Sequence, residues 1–358
     1  MNLFPKLRIK LSSWKHDVTN KWHELRFWLF PAKYLSDEQN ARILPLGYCY
    51  PDELFVDLPE EKPLIWAEVI PGFRETYRFK DSDAYYRSYQ HARFGFTWKK
   101  GGWECLRHYE IIANGCFPVF RDLDQCPADT LAHLPKPLLL QGLKELLPWR
   151  NTPEQQARYR EYSADLLTHA KENSSCSAVA KKLCDAMGIA KGQKVLFLTC
   201  DPRVNYSREL LFIGLNRLMK ESGGACVSYP KIEALYTSYP ETSSKELYGL
   251  GFGYSRRLIE SEPLEKRDFT DAEIQAGISN KEWDFILYGK VGHDEWKQGA
   301  APNLPFWSQV FSSYDKSRIG FIYGGDAMQF LGDMKSPHAR HLAEHSKYGY
   351  CFVRELSR

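Results

Sequence analysis

Two cofactor signatures are missing from this chain. No G-x-x-x-x-G-K-[ST] run occurs, so there is no phosphate loop of the ATPase type. The apolar stretch "KGQKVLFLTC" leads into "DPRVNYSREL", not into the G-x-G-x-x-G turn that lets a pyrophosphate approach a helix N-terminus. Oxidoreductases that use nicotinamide or flavin, and epimerases that recycle NAD, lose their best evidence. "GLGFG" at 249–253 looks similar, but no apolar strand runs into it and no clear helix opens after it, so it reads as a flexible loop. The nine cysteines are scattered and contain no C-x-x-C pair, which argues against a disulfide framework and a zinc knuckle and makes a reducing cytoplasm the simplest setting. Cys105 and His108 could offer two metal ligands one helical turn apart, but no second pair stands at ligand spacing. No apolar run approaches the length needed to cross a bilayer, and the N-terminus lacks a signal-peptide core. A net charge of +3 is too small for a whole-chain attraction to nucleic acid.

What is present is a globular composition, with 43% hydrophobic and 26% charged residues over 358 positions, more than one core usually serves. Aromatics reach 14%; Tyr and Trp faces stack on sugars and bases, and they also fill cores. Residues 1–33 interleave Lys6, Arg8, Lys10, Lys15, Lys21 and Arg26 with Phe4, Trp14, Trp22, Phe27, Trp28 and Phe30. Such a segment suits an anionic membrane surface, where the protein would sit peripherally, or a helix packed on the body.

Strand and helix patterns alternate in two regions, which predicts an α/β fold of two Rossmann-like domains with parallel sheets facing a cleft. Region 41–150 holds strands near "KPLIWAEVI", "RFGFTW" and "CFPVFRD"; region 191–358 holds "KVLFLTC", "ACVSYP", "WDFILYGKV", "RIGFIYGG" and "YGYCFVREL". Residues 151–190 read as a helical connector that opens with the Thr152 cap and Pro153 and closes at Gly188. Ligands of such sheets bind beyond the carboxyl ends of the strands.

The stretch "RHYEIIANGCFPVF" reads as a helix over 105–114, with Leu106, Tyr109, Ile112 and Ala113 on one stripe, then a Gly115 cap and a buried strand. Just before it, "FGFTWKKGGWEC" gathers a strand end, Lys99, Lys100, Gly101 and Gly102 at a helix start, a pattern able to receive a diphosphate through amides and ammonium groups. Arg107 could contact phosphate oxygens and Glu110, three residues on, could accept the hydroxyls of a ribose. Read alone, the same residues also fit a solvated turn and a surface i, i+3 ion pair.

The run "YYRSYQHARFGFTWKKGGWECLRHYEIIANGCFPVFRDLDQCP", with the later "TLAHLPKPLL", resembles the nucleotide-sugar half of GT-B glycosyltransferases, and most closely exostosin-like enzymes with an R-x-x-E-x-x-x-x-G-C-x-P-V helix and strand. Here those positions are Arg107, Glu110, Gly115, Cys116, Pro118 and Val119. The resemblance implies that Glu110 binds the ribose or sugar of a donor, while Arg107 and the lysine-bearing turn meet its phosphates. Residues 194–356 look like the acceptor half, so the two halves stand in exchanged order. The donor-binding set is then Arg78, Thr97, Lys99, Lys100, Gly101, Gly102, Arg107 and Glu110. Charge neutralisation by Lys99, Lys100, Arg107 and Arg78 is expected in place of a metal, with no cofactor beyond the nucleotide-sugar itself. A base near the acceptor hydroxyl is expected from Asp201, Asp326 or His293, each just after a strand of the second region. The function that follows is glycosyl transfer to a glycan, glycolipid or polysaccharide acceptor. The alternative is a catalytically silent nucleotide- or carbohydrate-binding module.

Overall fold

A computed structural model describes residues 35–358 apart from 200–202, 292–302, 327 and 332–335. The basic aromatic segment 1–33, Asp201 and His293 therefore lie outside the described residues. Eleven strands are formed among the rest: β1 (Ile43–Pro45), β2 (Leu64–Trp66), β3 (Ala92–Thr97), β4 (Phe117–Phe120), β5 (Lys194–Leu198), β6 (Ala225–Tyr229), β7 (Phe285–Tyr288), β8 (Ile319–Tyr323), β9 (Gln329–Phe330), β10 (Tyr350–Val353) and β11 (Leu356–Ser357). They make a six-stranded sheet in the order β1-β10-β8-β7-β5-β6, a three-stranded sheet β2-β3-β4 and a short pair β9-β11. Every pairing is parallel. The α/β class with two parallel sheets is as the alternating pattern predicts.

After the edge strand β1, the large sheet is built outward from its interior. From β5 the chain moves to β6 on one side, crosses back to β7 on the other, and continues outward through β8 and β10. Between β5 and β7 the winding direction reverses, and crevices for ligands open at such a point beyond the strand carboxyl ends. Alternate side chains supply two cores. Val195, Phe197, Phe285, Leu287, Ile322 and Phe352 face one way, and Leu196, Leu198, Ile286, Tyr288, Phe321 and Val353 the other. Burial on both faces explains why these strands read as unbroken apolar runs.

The first of those cores also contains Ala92, Phe94, Phe117 and Phe120 of the small sheet. The two regions are thus joined by continuous packing. Two expectations change accordingly. First, Ile43–Pro45 was grouped with region 41–150, yet it pairs with β10 and forms an edge of the large sheet. Second, the connector does more than join: in the helix Pro153–Ser174 the residues Tyr159, Tyr162, Leu166, Leu167 and Ala170 are buried. Their spacing of three, four, one and three is a helical stripe, diluted in the sequence by exposed Glu, Arg and Lys. The second connector helix, Cys176–Met187, ends at Gly188 with φ 71°, a left-handed cap that only glycine takes without cost. The expected strand "KPLIWAEVI" shrinks to β2, an exposed edge. No helix among the described residues is long and apolar enough to cross a membrane.

Lys62 shows how the small sheet is anchored. Its buried ammonium donates to the carbonyls of Tyr89 (3.3 Å), Gln90 (2.8 Å) and Ala92 (3.0 Å), which closes the helix Ser82–Gln90 and starts β3. Replacing it with Met leaves these acceptors without a donor. Lys62→Met is expected to cost about 2 kcal/mol or more, read as a lower urea midpoint with an unchanged slope.

Candidate active site

The helix Leu106–Ala113 begins at Cys105 and ends at Asn114, followed by Gly115 at φ 64°, close to the expected limits. Its polar face is not a solvent face. All eight residues are buried, Arg107, His108 and Glu110 included. His108 Nε2 lies 2.8 Å from the Trp103 carbonyl and so must carry the proton, leaving Nδ1 to accept from the Thr97 hydroxyl at 2.7 Å. Burial drives its pKa down to about 3. Thr97 and both His108 nitrogens are therefore spent on tying β3 to the following loop, which removes His108 as a metal ligand and leaves the Thr97 hydroxyl no role at a ligand.

That loop, 98–105, meets the carboxyl ends of the large sheet. Trp103 and Glu104 donate their amides to the two oxygens of the buried Glu355, at 3.0 and 2.9 Å, directly after β10. Arg354, beside it, reaches the Tyr48 hydroxyl and the Asp326 carboxylate. A Cβ on Gly101 would stand 2.7 Å from Asp326 Oδ2, and one on Gly102 would overlap Glu355 Oε1. The two glycines lack side chains so that the loop can lie against these carboxylates, and the neighbouring amides are already occupied by Glu355.

A cavity of about 260 Å³ opens at this seam. Its walls come from positions just past strand ends: Tyr48 after β1, Lys100 to Gly102 with Glu104 and Cys105 after β3, Val204 to Tyr206 after β5, Asp326 after β8 and Arg354 after β10. Tyr248 completes it from a turn in which Gly249, Leu250, Gly251 and Gly253 all have positive φ. Thus "GLGFG" is a defined turn of the cavity wall. Tyr206 packs edge-on against Tyr48 and tilted against Tyr248, so aromatic faces line one side. The volume is near the lower limit for small-molecule sites, about 300 Å³, and suits part of a ligand, with the remainder along the rim.

Lys100, Gly101, Gly102 and Asp326 are brought together there. Arg107 and Glu110 lie behind the wall. Arg107 donates to the Tyr77 hydroxyl at 2.6 Å, and its guanidinium and the Lys100 ammonium lie 5.4 and 5.8 Å from the Tyr77 ring centre. Neither cation forms an ion pair with a described carboxylate. Burial, and then Arg107, lower the Lys100 pKa. The i, i+3 pairing of Arg107 with Glu110 is absent. Glu110 instead accepts from Tyr85 at 2.7 Å, and burial raises it to about 7. Lys99 lies over the Trp103 ring. Arg78 is exposed and paired with Glu68, away from the cavity. Asp122 and Asp124, directly after β4, form a D-x-D at a strand end that the expectation of a metal-free site overlooked. Among the described residues no group of three or more His, Cys, Asp or Glu is arranged to hold a metal.

Glu104, Tyr48, Asn205, Tyr206, Tyr248, Arg354 and Glu355 were not foreseen. The signal was available for several: "FVREL" places Arg and Glu at a strand's carboxyl end, the same rule that singled out Asp326. No family model matches the chain, and no curated protein or solved structure matches it.

The loop's approach to Glu355 is open to test. Gly102→Ala is expected to lose roughly 1–3 kcal/mol through overpacking, whereas Gly325→Ala, where a Cβ would meet nothing within 4 Å, stays within about 0.5 kcal/mol of wild type. Chemical denaturation of both variants checks the contrast.

Proposed function

We propose that the protein is a glycosyltransferase of the GT-B type, moving a sugar from a nucleotide-sugar donor to a glycan or polysaccharide acceptor. The observation that carries this reading is the Lys100–Tyr77–Arg107 group: two cations around one tyrosine, without ion-pair partners among the described residues, beside a cavity at the carboxyl ends of two parallel sheets. Arg107 is buried with a tyrosine hydroxyl and ring in place of a carboxylate in direct contact, Glu110 acting on it only from farther off, a setting that leaves room for an external anion. A diphosphate is the anion that glycosyl transfer releases.

In this reading Lys100, with the charge of Arg107 behind the cavity wall, stabilises the charge that develops on the leaving diphosphate, so the step needs no metal. Tyr206 and Tyr248 offer ring faces to a sugar. Arg354 and Asp326 offer hydrogen-bonding groups for its hydroxyls. The exchanged order of the halves is no obstacle, because both contribute to one seam. The sequence motif of Arg107, Glu110, Gly115 and Cys116 supports the same reading.

Thermal-shift measurement against UDP-, GDP-, ADP- and CMP-sugars is expected to give one responding nucleotide. Lys100→Ala should then bind the corresponding nucleoside diphosphate roughly tenfold more weakly, the loss of one charge-assisted hydrogen bond, with an unchanged melting temperature in the absence of ligand. No response to any nucleotide, or unchanged affinity in the variant, would overturn the proposal. Tight nucleotide binding without transfer to any acceptor would favour the binding-module alternative.

A further inference from the structure

We propose that the cavity selects an uncharged sugar over an acidic one, and that Asp326 makes the choice: its carboxylate accepts from the hydroxyls of a neutral sugar and repels a uronate. The inference rests on the glycosyl-transfer reading and names the class of sugar that this reading leaves open.

Asp326 lines the cavity and is within reach of a ligand, because its side chain keeps 68% of its exposure. One oxygen accepts from Arg354, and the other, Oδ2, lies against Gly101. Tyr206 and Tyr248 line the same cavity, with ring centres 5.6 Å apart. Tyr248 is 69% exposed, yet its place is fixed. Its carbonyl accepts from the Tyr254 hydroxyl at 3.0 Å, and a Cβ on Gly249 would press into the Tyr206 hydroxyl. Leu250 is held at φ 57°, a region that is strained for a residue with a Cβ. A ring kept in the open on so constrained a turn suits the C–H face of a sugar. A carboxylate beside a guanidinium suits adjacent hydroxyls, which can donate to the one and accept from the other.

The balance of charge decides which sugars fit. Arg354, in contact with Asp326, is 2% exposed, and its donors already meet the Tyr48 hydroxyl, the Asp326 carboxylate and, at 3.6 Å, Glu355. If the buried Glu104 and Glu355 hold their protons, Arg354 and Asp326 sum to zero; if either ionises, the sum is negative. In neither state is a positive charge left for the carboxylate of a uronate. Lys100 does not supply one, since its ammonium turns toward the Tyr77 ring, where this reading places the diphosphate. An acidic sugar would therefore set like charge against like charge at Asp326, or would have to displace Asp326 from Arg354. A carboxylate taken out of water without a cation is costly. A neutral sugar meets neither obstacle, so the selection comes as much from the repulsive element as from the attractive one.

Calorimetric titration with three probes built on the responding nucleotide tests the selection: the nucleoside diphosphate, a neutral sugar nucleotide and its uronate, which for uridine are UDP, UDP-glucose and UDP-glucuronate. Wild type is expected to bind the neutral form at least roughly tenfold more tightly than the acidic one, the effect of one charged contact. Asp326→Ala should lose about tenfold for the neutral form, bind the uronate more tightly than wild type as Arg354 is released, and hold nucleoside diphosphate affinity within about twofold. Asp326→Asn should keep most of the neutral affinity and also admit the uronate. Wild-type binding of the acidic form as tight as that of the neutral form overturns the proposal, and so does a response to CMP-sialic acid, whose sugar carries a carboxylate. A loss in Asp326→Ala shared equally by all three probes overturns it too, since that is the mark of a residue that only holds Arg354. In each of these cases a nucleotide still binds and the glycosyl-transfer reading stands. If no nucleotide binds in any form, that reading falls and the sugar selection falls with it.

Discussion

One carboxylate holds the seam between the two sheets. Glu355, buried at the end of β10, receives the successive amides of Trp103 and Glu104 from the loop after β3. Charge-assisted bonds of this kind are among the stronger ones a fold can make, and here they join segments far apart in the chain. The arrangement shapes the rest of the cavity: a Cβ at Gly102 would strike Glu355, Arg354 lies between carboxylates, and Glu104 is carried into a buried wall. It also shapes what a ligand can find. The amides of Trp103 and Glu104 already hold an internal anion, so an external anion is left to side chains, and Lys100 is the lysine on the cavity wall.

Electrostatics in this region is unbalanced in two opposite senses. Around Tyr77 there are cations without carboxylate partners among the described residues, while around Arg354 three carboxyls, those of Asp326, Glu104 and Glu355, share one guanidinium. Both imbalances would cost stability if left alone, and Lys100 from the one and Glu104, Asp326 and Arg354 from the other line the same cavity. A ligand carrying negative charge at one end and hydroxyl groups at the other would relieve both. Uncompensated buried groups of this sort concentrate where a protein is built to receive something.

The strands of the large sheet were legible because burial on both faces makes their residues apolar throughout, and the helix after Cys105 was legible from the stripe of Leu106, Tyr109, Ile112 and Ala113. The helix ends also followed from local chemistry, with Thr152 and Gly188 marking the connector. What periodicity misread was the environment of the polar residues. Arg107, His108 and Glu110 occupy the positions of a solvent face, yet Tyr77 meets Arg107, Tyr85 meets Glu110, and Thr97, Trp103 and Phe120 enclose His108. Long-range pairing was equally silent: nothing local in Ile43–Pro45 indicates that its partner is β10. Of the expected donor residues, Lys100, Gly101 and Gly102 reach the cavity, Arg107 and Glu110 stand behind it, and Thr97 and Arg78 have other partners. The strand-end rule that singled out Asp326 applies with equal force to Arg354 and Glu355.

The placement of β1 has a further consequence for assembly. Its hydrogen-bonding partner lies roughly three hundred residues downstream, so during synthesis β1 waits with an unsatisfied edge until β5 to β8 and then β10 have emerged. The residues that seal that edge immediately precede Arg354 and Glu355. Completion of the large sheet and completion of the cavity are therefore the same late event, and a nascent chain that has not yet registered β10 has neither a finished core nor a chemically competent crevice.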